Sequence, residues 1–206
     1  MIIRKILKVF IPTAIRRNLR LWIETEVRKY KSPNMVYGYK DSNGELRMRT
    51  RISDTVFFYH PERIQIADNV FIWHYTIIDG TGGLKIDAGS QIGAWVGIFT
   101  HSSHVAIRIY GNHYQEVKES EKKGYPVAPV SIGKYVFIGA SSKILPGVTI
   151  GDGALVSTGS IVTKNIDRFE IVSGNPAEVI GDTRKLDQRY LDDPQLRSWY
   201  NDWQKS

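Results

Sequence analysis

From residue 64 onward an aliphatic side chain returns every six positions. One run holds Ile66, Ile72 and Ile78, shifts by two across Thr81–Gly83, and resumes at Ile86, Ile92 and Ile98. A second holds Ile132, Ile138, Ile144, Ile150, Val156 and Val162 without a break. Small or β-branched companions follow four positions after these residues: Val70, Thr76, Ser90 and Val96, then Val136, Ser142, Val148, Ala154 and Ser160. An α-helix turns such a period away from any single face, and Gly, Val, Ile and Thr are poor helix formers. An antiparallel sandwich brings strands every 8–12 residues with apolar and polar alternation. What remains is one short strand and one tight turn per six residues, each aliphatic stacking inward on its equivalent one coil later. The pattern predicts an all-β solenoid with a continuous apolar axis, and glycines after the aliphatics (Gly93, Gly133, Gly139, Gly151) supplying backbone freedom at its corners.

The flanks read differently. Residues 1–31 open on MIIRKILKVF, with Ile2, Ile3, Ile6, Leu7 and Phe10 at helical spacing and Arg4, Lys5 and Lys8 on the other side, before Pro12 interrupts. Residues 32–63 predict irregular strands that start the coil, and 183–206 a helical tail that caps its open end. Between Ile98 and Ile132 the repeat is broken, which predicts a loop leaving the coil over about 101–130.

At 206 residues the chain suits one architecture, here an arm (1–31), a coil (32–182) and a cap (183–206). Its net charge of +7 lies wholly in residues 1–31, where nine basic side chains face two acidic ones; the remainder balances 19 against 19. A basic arm on a neutral body argues against nucleic-acid binding. It fits a peripheral contact with an anionic membrane surface as well as packing on the domain or a neighbouring subunit. No run is long and apolar enough to span a bilayer, and no clear signal peptide is present, so a cytoplasmic protein is expected. The absence of cysteine excludes disulfides, thiolate metal sites and a cysteine nucleophile.

The segment 132–182, with ILPGVTIG, GSIVTK and GNPA, resembles the C-terminal half of bacterial sugar O-acetyltransferases of the hexapeptide-repeat acyltransferase family. The resemblance covers roughly 64–182. It implies a left-handed parallel β-helix, although general crossover preference favours the right hand. It also implies acetyl-CoA as co-substrate, no metal, a homotrimer with sites between subunits, and a histidine base acting in a ternary complex. An alcohol is a weak nucleophile at neutral pH, and histidine is suited to taking its proton.

The family's Thr, spacer, His pattern matches Thr100 to His104 with one extra residue. His104 is therefore the first candidate base and His101, directly after the strand, the second. CoA is implied along Ala140 and Thr158, with Phe137 as a wall and Thr163, Lys164, Arg184 and Lys185 toward its phosphates. His74 reads as structural or as a wall of the neighbour's site.

Three rivals stay open. A zinc hydratase of the γ-carbonic anhydrase type shares the coil, but His74, His101 and His104 do not reproduce its ligand spacing. A catalytically silent scaffold would not bind acetyl-CoA. An N-acetyltransferase would take an amino sugar or an antibiotic. O-acetylation of a surface-polysaccharide precursor leads.

Overall fold

In the structure, a computed structural model that describes residues 13–31 and 33–205, the chain forms two compact units divided at Asn34. In the first, α1 (Thr13–Lys31) is a 19-residue helix. Ile15, Leu19, Trp22 and Ile23 lie exposed along one side of it, and Arg20 pairs with Glu24 one turn on at 2.7 Å. The amphipathic segment expected over residues 1–10 lies outside the described residues. Among those described, no helix is long and apolar enough to cross a membrane.

The second unit begins with an antiparallel hairpin, β1 (Met35–Lys40) and β2 (Leu46–Ser53), where the sequence suggested only irregular strands. Asp41 closes its turn by accepting the amides of Asn43 and Glu45 and both Nε and Nη2 of Arg47. Thereafter the chain steps through three sheets in rotation. Strands β3 (Phe57–Tyr59), β6 (Ile77–Asp79), β9 (Gly97–Ile98), β12 (Lys143–Ile144) and β15 (Ile161–Val162) build a five-stranded sheet. Strands β4 (Ile64–Ile66), β7 (Leu84–Ile86), β10 (Val130–Ile132) and β13 (Thr149–Ile150) build a four-stranded one.

Strands β5 (Phe71–Ile72), β8 (Gln91–Ile92), β11 (Phe137–Ile138) and β14 (Leu155–Val156) join β2 in an eight-stranded sheet. That sheet ends on the hairpin of β16 (Glu170–Gly174) and β17 (Ala177–Asp182). From β2 to β12 each strand pairs in parallel with the one three places later, so Ile72 lies beside Ile92 and Ile92 beside Ile138.

Every aliphatic of the six-residue run is buried, none more than 2% exposed. The polar companions are equally buried and their hydroxyls are paired, most with the next level: Thr76 to the Gly93 carbonyl at 3.0 Å, Ser90 to that of Gly133 at 2.7 Å. A buried hydroxyl left unpaired is costly, so these contacts let Thr and Ser share an Ile- and Val-lined core.

The corner glycines have a different role from the one expected. A Cβ on Gly93 or Gly139 would stand 2.6 Å from the Ala140 amide or 2.5 Å from that of Thr158, so these positions are small because successive levels touch there. The left-handed residue comes two positions later, at Trp95 and Ser141, with φ of 56° and 64°.

The tail also departs from expectation. Helix α3 (Thr183–Asp187), N-capped by the Asp182 carboxylate, leads into α4 (Pro194–Lys205). Trp203 on α4 packs on Tyr135 and Phe169, with ring centroids 4.7 and 5.7 Å away, and a Cβ on Gly153 would touch it at 3.0 Å. Tyr135, Gly153 and Phe169 belong to three successive levels, so the tail runs along the flank. Aromatic side chains standing out from that edge are the apolar surface it covers.

Candidate active site

The break in the repeat becomes an excursion between Ile98 and Val130 whose ends are fastened together. Ser102 N donates to the Pro126 carbonyl at 3.0 Å, Ala128 N to that of Thr100 at 2.9 Å, and His101 bridges to Val127. A short helix, α2 (Ala106–Tyr110), buries Ala106, whose amide bonds the Gly124 carbonyl. His101 therefore sits on a pinned stem where the chain leaves the five-stranded sheet.

Beneath it lies Asp79, the last residue of β6. Ile78 is in register with Ile98, which brings this carboxylate under Thr100 and His101. The Asp79 side chain is 4% exposed. Its Oδ1 accepts the Thr81 amide and hydroxyl at 2.9 and 2.6 Å. Its Oδ2 accepts the Thr100 amide at 2.7 Å and hydroxyl at 2.9 Å, and faces His101 Nδ1 at 2.7 Å. Burial pushes the Asp79 carboxyl up, but the bonds from Thr81, Thr100 and His101 outweigh it and hold the group at about 2.

An ionised carboxylate only accepts, so His101 Nδ1 carries a proton, and in the neutral ring it is Nε2 that presents the lone pair. The ring lies against Tyr125 and Tyr59, with centroids 5.7 and 6.4 Å away. This arrangement can take a proton from a hydroxyl and return it to a leaving group.

His104 is exposed on the same excursion, with Nδ1 on the Ser102 hydroxyl at 2.8 Å and its carbonyl held by Arg108. His74 bonds the Ser53 hydroxyl at 2.7 Å and His113 meets Glu116 at 2.8 Å. Among the described residues no three His, Cys, Asp or Glu side chains converge as metal ligands.

The residues expected along CoA fall on two edges of the coil. Ala140 and Thr158 follow β11 and β14, at the edge between the eight- and five-stranded sheets, and the Gly159 amide donates to the Ala140 carbonyl. Phe137 stands half exposed on β11 beside that edge. Thr163 and Lys164 follow β15, at the next edge, which His101 shares; Lys164 lies 3.5 Å from Glu178 near the start of β17.

Arg184 is beyond the other end of β17, forked onto Asp182 and stacked over Phe169, and Lys185 follows it. The structure does not bring Arg184 and Lys185 together with Lys164. Asp79 was missed by sequence reasoning. Its signal was the IIDGTGG segment, where the repeat slips, but its histidine lies 22 residues away.

A cavity of about 520 Å³ opens beside the pair, lined by Arg63, Thr81, Glu119, Lys122, Tyr125 and Val127 among others. A slightly larger one of about 570 Å³ lies far along the chain, between α4 and the eight-stranded sheet, and is walled by Tyr135, Phe169, Trp199 and Trp203. Neither cavity is lined by His101 or His104 themselves; the first meets the pair through Thr81 and Tyr125.

The family model described as the hexapeptide repeat of succinyl-transferase matches residues 129–164. A chloramphenicol acetyltransferase of Agrobacterium fabrum is 33% identical over 159 residues, 74% of this chain and 69% of that protein. The galactoside O-acetyltransferase of Escherichia coli is 32% identical over 142 residues, 68% of this chain and 64% of that protein. Among solved structures, a hexapeptide-repeat-containing acetyltransferase of Vibrio cholerae O1 biovar eltor, complexed with acetyl-CoA, superposes with a TM-score of 0.52 at 23% identity. That superposition covers 62% of this chain and 64% of the other. The chain thus spans about two thirds of each relative's length. With a repeat whose aliphatics all stack inward and a relative matched along most of its length, this chain belongs to the hexapeptide-repeat acyltransferase family and is an acyltransferase.

Proposed function

We propose that this protein transfers an acetyl group from acetyl-CoA to a sugar hydroxyl, with His101 as the base and Asp79 as its positioning residue. The observation that carries the reading is the buried, ionised Asp79 holding His101 Nδ1 at 2.7 Å beside an open cavity. His104 matches the family's spacing more closely, yet its ring is exposed and met by a hydroxyl, which leaves neither its tautomer nor its orientation fixed.

His101 Nε2 takes the proton of the acceptor hydroxyl as its oxygen attacks the thioester carbonyl. The tetrahedral intermediate collapses, the C–S bond breaks, and the proton passes to the departing CoA sulfur. The acceptor leaves as an ester, and the enzyme carries no covalent intermediate.

The coil is left-handed in this reading, as the resemblance implies. His101 lies on one edge of a chain and the CoA-facing residues Ala140 and Thr158 on another, so a complete site joins the edges of two copies in a homotrimer. The sugar is part of a surface-polysaccharide precursor made in the cytoplasm, and the basic helix α1 lies on the anionic inner face of the membrane.

The test is acetyl transfer from acetyl-CoA to a panel of sugars, sugar nucleotides and chloramphenicol. His101→Ala lowers kcat by about a thousandfold or more while acetyl-CoA still raises Tm, and His104→Ala changes kcat only a few-fold. Loss of transfer in His104→Ala alone would return the base to that residue. Absence of acetyl-CoA binding would leave the scaffold reading.

A further inference from the structure

The cavity beside His101 has a charge pattern that bears on the acceptor, an inference that rests on the reading of His101 as the base. Two of its walls belong to the His101 environment itself: Thr81 bonds Asp79, and Tyr125 packs on the His101 ring. A molecule occupying it therefore rests on side chains that themselves touch Asp79 and His101. Two cations, Arg63 and Lys122, face the same space, against a single carboxylate, Glu119.

Neither cation is saturated within the fold. Arg63 donates Nη1 to the Thr81 carbonyl at 2.8 Å, while its Nε is 4.0 Å from Glu62, beyond hydrogen-bond reach. Glu62 itself is engaged by His60 Nδ1 at 3.0 Å. Lys122 has Glu121 and Glu119 as near neighbours in sequence but pairs with no carboxylate among the described residues. Its ammonium lies 4.0 Å above the Tyr114 ring instead. A guanidinium keeps its unused donors in a fixed fork suited to phosphate or carboxylate oxygens, and the ammonium adds a mobile point charge. An uncharged sugar would leave the unused guanidinium donors and the ammonium with no anion of the acceptor to hold.

We infer that the acceptor carries an anionic group, a phosphate or a carboxylate, which Arg63 and Lys122 hold while its hydroxyl reaches His101. The phosphates of CoA do not fill this role. The pantetheine arm keeps them far from the thioester, and it is the thioester carbonyl that must meet the hydroxyl beside His101.

The experiment compares glucose, glucose 1-phosphate and glucuronic acid as acceptors, with acetyl-CoA binding followed separately by its effect on Tm. The wild type is expected to prefer at least one anionic acceptor over glucose by tenfold or more in kcat/KM, and the arm that wins identifies phosphate or carboxylate. Arg63→Gln and Lys122→Gln each raise KM for that acceptor by about ten- to a hundredfold, leave the KM for acetyl-CoA where it was, and flatten the rise of acceptor KM with salt. Lys122 lies on the excursion and makes no hydrogen bond to the coil, so its variant reads the charge even if Arg63→Gln disturbs the Thr81 turn. Acetyl-CoA binding with glucose equal to or better than both anions overturns the inference and leaves the enzyme standing. Failure to bind or consume acetyl-CoA with any acceptor overturns both.

Discussion

Asp79 concentrates more of the site's chemistry than any other residue. Five hydrogen-bonding groups converge on its two oxygens, four from threonines that fix the carboxylate and one from the imidazole it serves. Asp79→Asn keeps the shape and removes the charge, so the amide can present Nδ2–H to His101 and select the wrong tautomer. A fall in kcat of about a hundredfold to ten-thousandfold, with KM for acetyl-CoA unmoved, is the expected result; an unchanged kcat would reduce Asp79 to a structural role.

The same carboxylate leaves a mark on stability. Its folded pKa of about 2 lies below the ordinary 3.8, so its contribution is complete above pH 4 and drains away as pH falls toward 2. That contribution is about 2 kcal/mol, and in Asp79→Asn the loss of unfolding free energy between pH 4 and 2 is smaller by about that amount.

At the scale of the strand and turn, the six-residue period was legible because each level repeats one demand: an aliphatic where the strand enters the core. The reason for the glycines was not, since a lone sequence does not say whether Gly is kept for its dihedral freedom or for the space its missing Cβ leaves. Two glycines in equivalent corners separate the two. Gly139 has a Cβ position 2.5 Å from the Thr158 amide, whereas Gly159 has φ of 75° and nothing within 4 Å.

Gly139→Ala forces backbone apart, at about 1–3 kcal/mol or more, and lowers Tm by roughly 5 °C or more. Gly159→Ala meets only the left-handed dihedral, at about 1 kcal/mol. Equal costs in denaturant unfolding would remove the close-approach argument. The hairpin of β1 and β2 and the flank-lying tail were illegible for another reason. Both are fixed by what they cover, Trp203 by Tyr135 and Phe169, and that surface exists only once the coil has formed. Asp79 escaped notice likewise, because one level of coil separates it from His101 in sequence and none in space.

At the scale of the whole molecule, the arrangement of edges sets the last prediction. His101 leaves the five-stranded sheet toward the four-stranded one, while Thr158 leaves the eight-stranded sheet toward the five-stranded one. A rigid prism cannot fold one edge onto another, so a thioester lying along Thr158 reaches the His101 of a second copy if it reaches any. Thr158 is exposed, and a tryptophan there blocks the CoA track without entering the core. His101→Ala and Thr158→Trp are each inactive alone. Co-refolded in equal amounts, they assort at random, and about a quarter of the inter-copy sites receive an intact histidine edge and an intact Thr158 edge. Activity near a quarter of wild type in the mixture is the signature of a shared site. None above the two variants assayed separately would mean that each chain works with its own edge, and the oligomer reading would fall with it.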